Sequence, residues 1–346
     1  MIVKKILIFN PAFLGDAILV TPLLKICKDY FNSPVIHFCI RGGYEKLFEG
    51  LSFIDKIIPF YKRGKDKGIK GIISFSKYLR EESYDIIICT HRSIRSILIV
   101  HLAKSQLTVG FKNATLSFLL NKKIVRDLHG HEVYRNISLL RPLMGKDYDY
   151  VIKNIHSLYV AKNKEYFIKF KYFINAIKGT MKIAGIQATS NWKTKMWPLN
   201  RFADLINKLY KRNILSIIFS SPSEIDIIQE MSSFIKVPFI SLAGILELDE
   251  LSSAINNLDL FITNDTGPMH IAAAYKIPII AIFGPTIPKF GFTPFGCTYN
   301  IIEDTTLKCR PCSLHGGAKC PEKHFKCMLN VSVNAVLENA IRIINK

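Results

Sequence analysis

Acidic side chains are scarce in this sequence: 27 Asp and Glu stand against 47 Lys and Arg over 346 residues, a formal charge of +20. Such an excess favours an anionic partner, whether nucleic acid, lipid headgroups or phosphorylated small molecules. Helix-turn-helix, RNA-recognition and KH signatures are lacking, so no specific nucleic-acid partner is expected. Nor is there a run of 18 or more uninterrupted apolar residues, and no transmembrane span is expected. The apolar stretch in Met1–Asn10 is too short for a signal peptide. Pro11 and Gly15-Asp16 instead read as the turn after a first buried strand. The eight cysteines have no export signal around them, and reduced thiols are the expectation.

What is present is a chain 49% hydrophobic, long enough for two α/β domains. Strands are expected over Lys4–Phe9, Val35–Ile40, Ile54–Pro59, Asp85–Cys89 and Thr108–Gly110. Between and after them come helices over Asp16–Tyr30, Ile69–Glu81, Ser93–Leu102 and His129–Leu143. The charged, aromatic run Lys162–Lys178 is expected to carry the crossing between domains. A second series has strands over Lys182–Gln187, Leu215–Phe219, Phe239–Ser241, Leu260–Thr263 and Pro278–Phe283. Its helices are expected over Asn200–Lys208, Ser223–Met231, Glu247–Asn256, Pro268–Tyr275 and Val331–Ile344. Short apolar strands alternating with helices imply mostly parallel sheets covered on both faces. The fold class is therefore α/β, with two Rossmann-like domains over residues 1–170 and 171–330, facing across a cleft, and a closing helix over 331–346.

Ligands of an open α/β sheet bind beyond the carboxyl ends of its strands, so the loops there hold the functional candidates. Asn10-Pro-Ala-Phe-Leu-Gly-Asp16 joins the first strand to its helix. Asp16 either caps that helix or serves as general base over a sugar hydroxyl. The helix dipole would weaken it as a base, so a catalytic Asp16 is expected to rely on orientation more than on pKa. In Phe261-Ile-Thr-Asn-Asp-Thr-Gly-Pro-Met-His270 a strand runs into Asp265, Thr266 and Gly267, and Pro268 opens a helix carrying His270. Backbone N–H groups and hydroxyls there suit a phosphate, with Asp265 ordering the loop or meeting a ribose hydroxyl. The alternative is a tight turn with no ligand, and His270 reads equally as packing or contact. Phe283-Gly-Pro-Thr286 adds a second polar turn beside it.

Gln187–Pro198 brings Thr189, Ser190, Asn191, Lys193 and Lys195 to another strand end. The set suits a pyrophosphate whose charge grows as a nucleotide leaves, or else forms a solvated loop held by Trp197. Glu224, in Ser221-Pro-Ser-Glu224, caps the following helix or binds a ribose. Arg92 and Arg95 of His91-Arg-Ser-Ile-Arg95, joined by Arg41, Lys62 and Arg63, read as receiving a carboxylated or phosphorylated acceptor, or as plain solvated surface. In Cys309-Arg-Pro-Cys312, Cys320 and Cys327 the first pair has zinc-ligand spacing, and four thiolates would close a structural site. The second pair is spaced more widely, so a reduced packing cluster or a disulfide is the alternative. His315 and His324 would serve as substitute ligands.

Taken together these motifs resemble the bacterial lipopolysaccharide heptosyltransferases, glycosyltransferase family 9. The resemblance runs over nearly the whole chain. It includes Gly15-Asp16, His91–Arg95, Gly110-Phe111, His131-Glu132 through Asn136, Lys195-Met-Trp-Pro198, Thr263–His270, Phe283–Pro285 and the tail from Cys309 to Cys327-Met328. It implies a GT-B fold with an acceptor domain followed by a donor domain, the last helix packing back on the first. It also implies inverting transfer from ADP-heptose to the lipopolysaccharide inner core, without a catalytic metal. Asp16 falls on the family's catalytic aspartate, Lys195 on the lysine that meets donor phosphate, and Glu224 on the ribose contact. Asp265, Thr266, Gly267 and His270 fall in the donor signature. Ser190-Asn-Trp-Lys-Thr-Lys195 and the cysteine tail are similar to the branch adding the second heptose. The expected partners are a nucleotide-sugar, an acidic phosphorylated glycolipid acceptor and, transiently, an anionic membrane surface. A cytoplasmic monomer, peripheral at the inner face of the cytoplasmic membrane, is expected. Competing readings are transfer of another sugar to a surface glycan, a nucleotide-sugar epimerase of related shape, and a non-catalytic nucleotide-sugar or glycan binder.

Overall fold

The central strands of this protein have no polar face. Ile6, Leu7, Ile8 and Phe9 are all fully buried, as are Ile279, Ile280, Ala281 and Ile282, and only a parallel sheet covered on both sides uses such runs. In the computed structural model, which describes residues 3–345, two sheets form accordingly. The first takes Lys5–Asn10 (β1), Val35–Arg41 (β2), Lys56–Phe60 (β3), Ile86–Cys89 (β4), Leu107–Phe111 (β5) and Lys122–Ile124 (β6). The second takes Lys182–Gln187 (β7), Ile214–Ile218 (β8), Ile240–Ser241 (β9), Leu260–Asn264 (β10), Ile279–Ile282 (β11) and Tyr299–Ile302 (β12). Their orders are β3-β2-β1-β4-β5-β6 and β12-β11-β10-β7-β8-β9. Every pairing is parallel. Each sheet is thus Rossmann-like, the α/β class expected, and its strand order reverses once, at β1/β4 and at β7/β10. A crevice opens beyond the carboxyl ends at such a reversal.

The structure departs from expectation where proline and sheet edges intervene. The long first helix is two, Leu14–Leu19 and Thr21–Tyr30, because Pro22 sits in the first turn of the second and cannot continue the first. Pro142 likewise splits the expected helix over 129–143 into Glu132–Ser138 and Arg141–Met144. The unexpected strands β6 and β12 are edges, whose partly exposed residues lack a long apolar run.

The chain divides into two units between Ala161 and Lys162. A boundary at 170/171 would cut the helix Lys164–Lys178, which belongs to the second unit: Phe170 and Ile174 are buried, and Phe167 O accepts from Asn257 Nδ2 at 3.3 Å. The last helix is Val333–Ile344. Its stripe of Val336, Leu337, Ala340 and Ile343 lies in the core of the second unit, against the helix Leu199–Tyr210 and strands β10–β12. No helix among the described residues is long and apolar enough to cross a membrane.

Candidate active site

In the first unit, β1 and β4 are tied at their carboxyl ends by Asn10 Nδ2, which donates to Thr90 Oγ1 at 2.8 Å. The chain then enters the helix Leu14–Leu19, with Asp16 in its first turn. Asp16 does not cap this helix; Phe13 occupies the cap position and contributes no side-chain bond. The half-buried carboxyl of Asp16 is pushed up to about 7. Burial contributes most and Glu132 next, while the backbone N–H groups of Phe13 and Asp16, and Arg126, pull the other way. The expectation of a base weakened by the helix dipole is overturned. Desolvation and a like charge outweigh the short helix, leaving a carboxylate matched to neutral pH.

Glu132 opens the helix Glu132–Ser138 and is itself buried. Its Oε2 accepts from Arg126 Nη2 and, at 3.0 Å, from Arg135 Nη1. Arg135 is fixed in turn by donating to Asp127 O at 2.6 Å and Leu128 O at 2.8 Å. Arg126 is also within electrostatic reach of Arg92, and its buried Nε has no hydrogen-bond partner. Tyr44 lies against the same place: burial raises its hydroxyl above the usual phenol range, Arg41 opposes and Asp16 adds to the rise. Sequence reading missed Tyr44 and Arg126, and met Glu132 only through the family motif. An ion pair assembled across six residues of irregular loop leaves no periodic trace.

The basic candidates of this unit converge. Burial, then Arg95, Arg41 and Arg63, hold the Lys62 ammonium below its ordinary range, so each of the three guanidiniums lies within electrostatic reach of Lys62. Arg95 Nη1 also donates to Lys62 O at 3.3 Å. Arg92 stands with His91, whose imidazole is lowered to about 4 by burial, Lys62 and Arg92. A neutral His91 shares a 2.7 Å hydrogen bond with Ser96 Oγ.

In the second unit, Asp265 follows β10 and its carboxylate gathers three loops. Oδ2 accepts from Lys195 Nζ at 2.6 Å and from Thr286 Oγ1 at 2.7 Å, joining the loops after β10, β7 and β11. The Lys195 and Asp265 side chains are each 11% exposed. Asn264, fully buried at the end of β10, holds both ends of the loop after β7, accepting from Trp197 N at 3.0 Å and donating to Ala188 O at 2.8 Å. Thr266 stands at the cap position of the helix Gly267–Ala274 without a side-chain capping bond, its hydroxyl 3.1 Å from Thr263 Oγ1. Asp265 therefore orders the loop, one of its two expected roles.

The remaining donor candidates are spread more widely. Ser190, Asn191 and Lys193 lie on the accessible loop, whereas Thr189 is buried beneath it and accepts from Gln187 Nε2 at 2.7 Å. His270 is buried in its helix. Glu224 follows β8, and its Oε2 accepts from Ser221 N at 2.9 Å and Ser221 Oγ at 2.6 Å in a capping box.

The cysteine segment is fastened to these loops. Thr194 Oγ1 accepts from Gly317 N at 2.8 Å, and Cys312 N donates to Pro285 O at 3.0 Å. Arg310 binds Gly284 O and, at 2.9 Å, Thr286 O. Gly316, at φ +90°, lies so close to the loop that a Cβ would stand 3.0 Å from Trp192 and 3.1 Å from Lys195. Burial pushes the Cys327 thiol up to about 11, with Cys312, Cys320 and Cys309 adding to it and Arg310 opposing. Cys309 Sγ is 3.9 Å from His324 Nε2. Among the described residues, however, no three His, Cys, Asp or Glu side chains are arranged to hold a metal ion.

Comparison with known proteins gives these loops a setting. A model of glycosyltransferase family 9 (heptosyltransferase) matches residues 72–324. Lipooligosaccharide heptosyltransferase 2 of Campylobacter jejuni is 27% identical over 343 residues, covering 96% of this chain and 97% of that protein. The crystal structure of a family 9 glycosyl transferase from Veillonella parvula has the same fold, with a TM-score of 0.86 at 22% identity over 99% of this chain and 98% of that one. E. coli ADP-heptose lps heptosyltransferase II shares it too, with a TM-score of 0.78 at 20% identity and 99% coverage of each. The family match takes in most of the chain, and the fold is shared from end to end: the chain belongs to glycosyltransferase family 9, the heptosyltransferases.

Proposed function

We propose that the enzyme transfers L-glycero-D-manno-heptose from ADP-heptose to the inner core of lipopolysaccharide, with inversion, at the inner face of the cytoplasmic membrane. The observation that carries this reading is the Asp16 carboxyl, half-buried in the first turn of the helix that follows β1 and raised to about 7. In the transfer, Asp16 takes the proton of an acceptor hydroxyl as that oxygen attacks the anomeric carbon. The bond from this carbon to the ADP oxygen breaks, and its electron pair leaves on the diphosphate. Lys195 offsets the growing negative charge, and the Thr266-Gly267 turn supplies backbone donors to phosphate. Glu224 turns to the ribose. Arg41, Lys62, Arg63, Arg92 and Arg95 receive the acidic, phosphorylated acceptor. Similarity to a lipooligosaccharide heptosyltransferase 2 supports the second heptose as the one added.

A structural zinc at Cys309, Cys312, Cys320 and Cys327 belongs to the same proposal. Four thiolates are the donor set of a closed site, and Cys312 and Cys327 each lie within electrostatic reach of Cys309 and Cys320. Metal binding would draw them together and stiffen the segment clasping Thr194 and Pro285; no step of the transfer passes through it. Metal analysis of protein purified under reducing conditions tests this: about one zinc per chain is expected for a four-cysteine site, and metal-free protein of full activity would remove it.

Acceptor-dependent ADP release, with ADP-heptose and Kdo-containing lipid A carrying none or one heptose, tests the transfer. Gain of one heptose by mass spectrometry is expected, with the one-heptose acceptor preferred. A folded protein that binds nucleotide-sugar and forms product with neither acceptor overturns the reading.

A further inference from the structure

The first unit carries an apolar surface that its fold does not explain. On the helix Gly68–Glu81, Phe75 and Leu79 turn inward and are buried, yet Ile69 is 76% and Ile73 58% exposed. These two stand one turn apart, so they form a single ridge. Ile94, at the start of the neighbouring helix Ile94–Leu102, is exposed as well. Every exposed charge around the ridge from residue 61 to 77 is positive: Lys62, Arg63, Lys65, Lys67, Lys70 and Lys77. The single acid of that stretch, Asp66, is buried, and its Oδ2 accepts from Tyr61 N at 2.7 Å. Its charge is committed to closing the loop that presents the lysines.

We propose that this ridge is a membrane-docking element, in which Ile69 and Ile73 enter the acyl boundary of an anionic bilayer while the surrounding lysines meet its headgroups. Aliphatic side chains inside a ring of cations match such an interface, which is apolar below and negative at the surface. A nucleic acid would leave the isoleucines without partners. A second copy packing the same face would set cation against cation. The ridge adjoins the Arg41, Lys62, Arg63 and Arg95 cluster through Lys62 and Arg63, so docking there brings the cluster to headgroup level. The inference rests on the reading that the acceptor is membrane-borne. It goes beyond that reading by naming the surface that makes the contact.

The test is flotation of the full-length protein with phosphatidylglycerol-containing vesicles and with pure phosphatidylcholine vesicles, both free of donor and acceptor. Wild-type protein is expected to float with the anionic vesicles only. The Ile69→Ser/Ile73→Ser variant is expected to lose about tenfold or more of that partition. Its melting temperature and its rate with a detergent-solubilised acceptor should stay unchanged. Lys65→Gln/Lys67→Gln/Lys70→Gln should weaken binding and flatten its salt dependence. Anionic-vesicle binding that survives the isoleucine changes overturns the proposal, as does binding indifferent to lipid charge. A wild-type dimer that the isoleucine variant converts to monomer also overturns it, assigning the ridge to a second copy. Because these vesicles hold no substrate, failure of heptose transfer leaves this result standing and marks the functional reading alone as wrong.

Discussion

Asp16 and Asp265 each follow a central parallel strand that flanks a reversal of strand order, Asp16 in the first helical turn after β1 and Asp265 in the loop after β10. Their surroundings differ in one respect. Asp265 has a cation at 2.6 Å and a hydroxyl at 2.7 Å, and both bonds run to other loops. Asp16 has burial and the negative Glu132, while the Arg126 that could offset them is already bound to Glu132. The first arrangement makes a carboxylate a fixed strut. The second makes it a group that exchanges a proton near neutral pH. Position in the fold selects the loop; the sign of the nearest partner selects the chemistry.

The largest effect should come from Asp16→Asn. Removing a general base lowers kcat by about 10²- to 10⁴-fold, with donor binding intact by calorimetry; a variant retaining near wild-type kcat would end the role of Asp16. The same variant should be the more stable protein at neutral and alkaline pH. The folded carboxyl stands at about 7, against 3.8 for a solvated aspartate. Below the lower value it is protonated in both folded and unfolded chains and costs nothing. Between the two the folded chain holds the extra proton, so wild-type stability falls as pH rises. Above 7 the full penalty is present, an upper figure of about 4 kcal/mol. Thermal melts of the two proteins should therefore coincide near pH 4 and diverge up to about pH 7. In the second unit, Lys195→Ala should cost about 10²-fold in kcat/KM, leaving Asp265 facing an incoming diphosphate with its charge unpaired. Adding Asp265→Asn to Lys195→Ala should restore part of the donor affinity, because the repulsion goes with the charge. If the double variant is weaker than Lys195→Ala alone, Asp265 acts on the donor itself as well as on the loops.

Much of this was legible in the sequence because strand ends are. Apolar runs marked most of the strands, and the polar residues following them fall where an open sheet gathers its loops. Asp265, Lys195 and Thr286 meet for that reason alone, though they come from three separate segments. The break at Pro22 was also written in the chain, since proline in a helical pattern starts a helix more readily than it continues one. Glu132 was a different matter. It acts on Asp16 from 116 positions away, and neither residue carries a pattern that names the other. The edges β6 and β12 escaped because half-exposed strands next to lysine and asparagine lack the continuous apolar run that identifies the inner ones. The closing helix showed its apolar stripe clearly, but a stripe does not say which core it enters.

Glu132→Gln is the smallest perturbation and the sharpest test of the comparison. It keeps the shape of the side chain and an acceptor for Arg126 and Arg135, so the fold should hold, with a modest loss of melting temperature from two buried cations now facing a neutral group. With the like charge gone and Arg126 freer to act on it, the Asp16 carboxyl should fall from about 7. The acid limb of the kcat/KM profile should then move to lower pH by about one unit or less, since burial is the larger cause and is untouched. Activity at pH 6 would rise relative to the plateau, although the plateau itself drops as the base weakens. An unmoved acid limb would mean that burial alone sets Asp16. The two aspartates would then differ by exposure to solvent, and the buried Glu132 ion pair would serve only to pin the loop that precedes it.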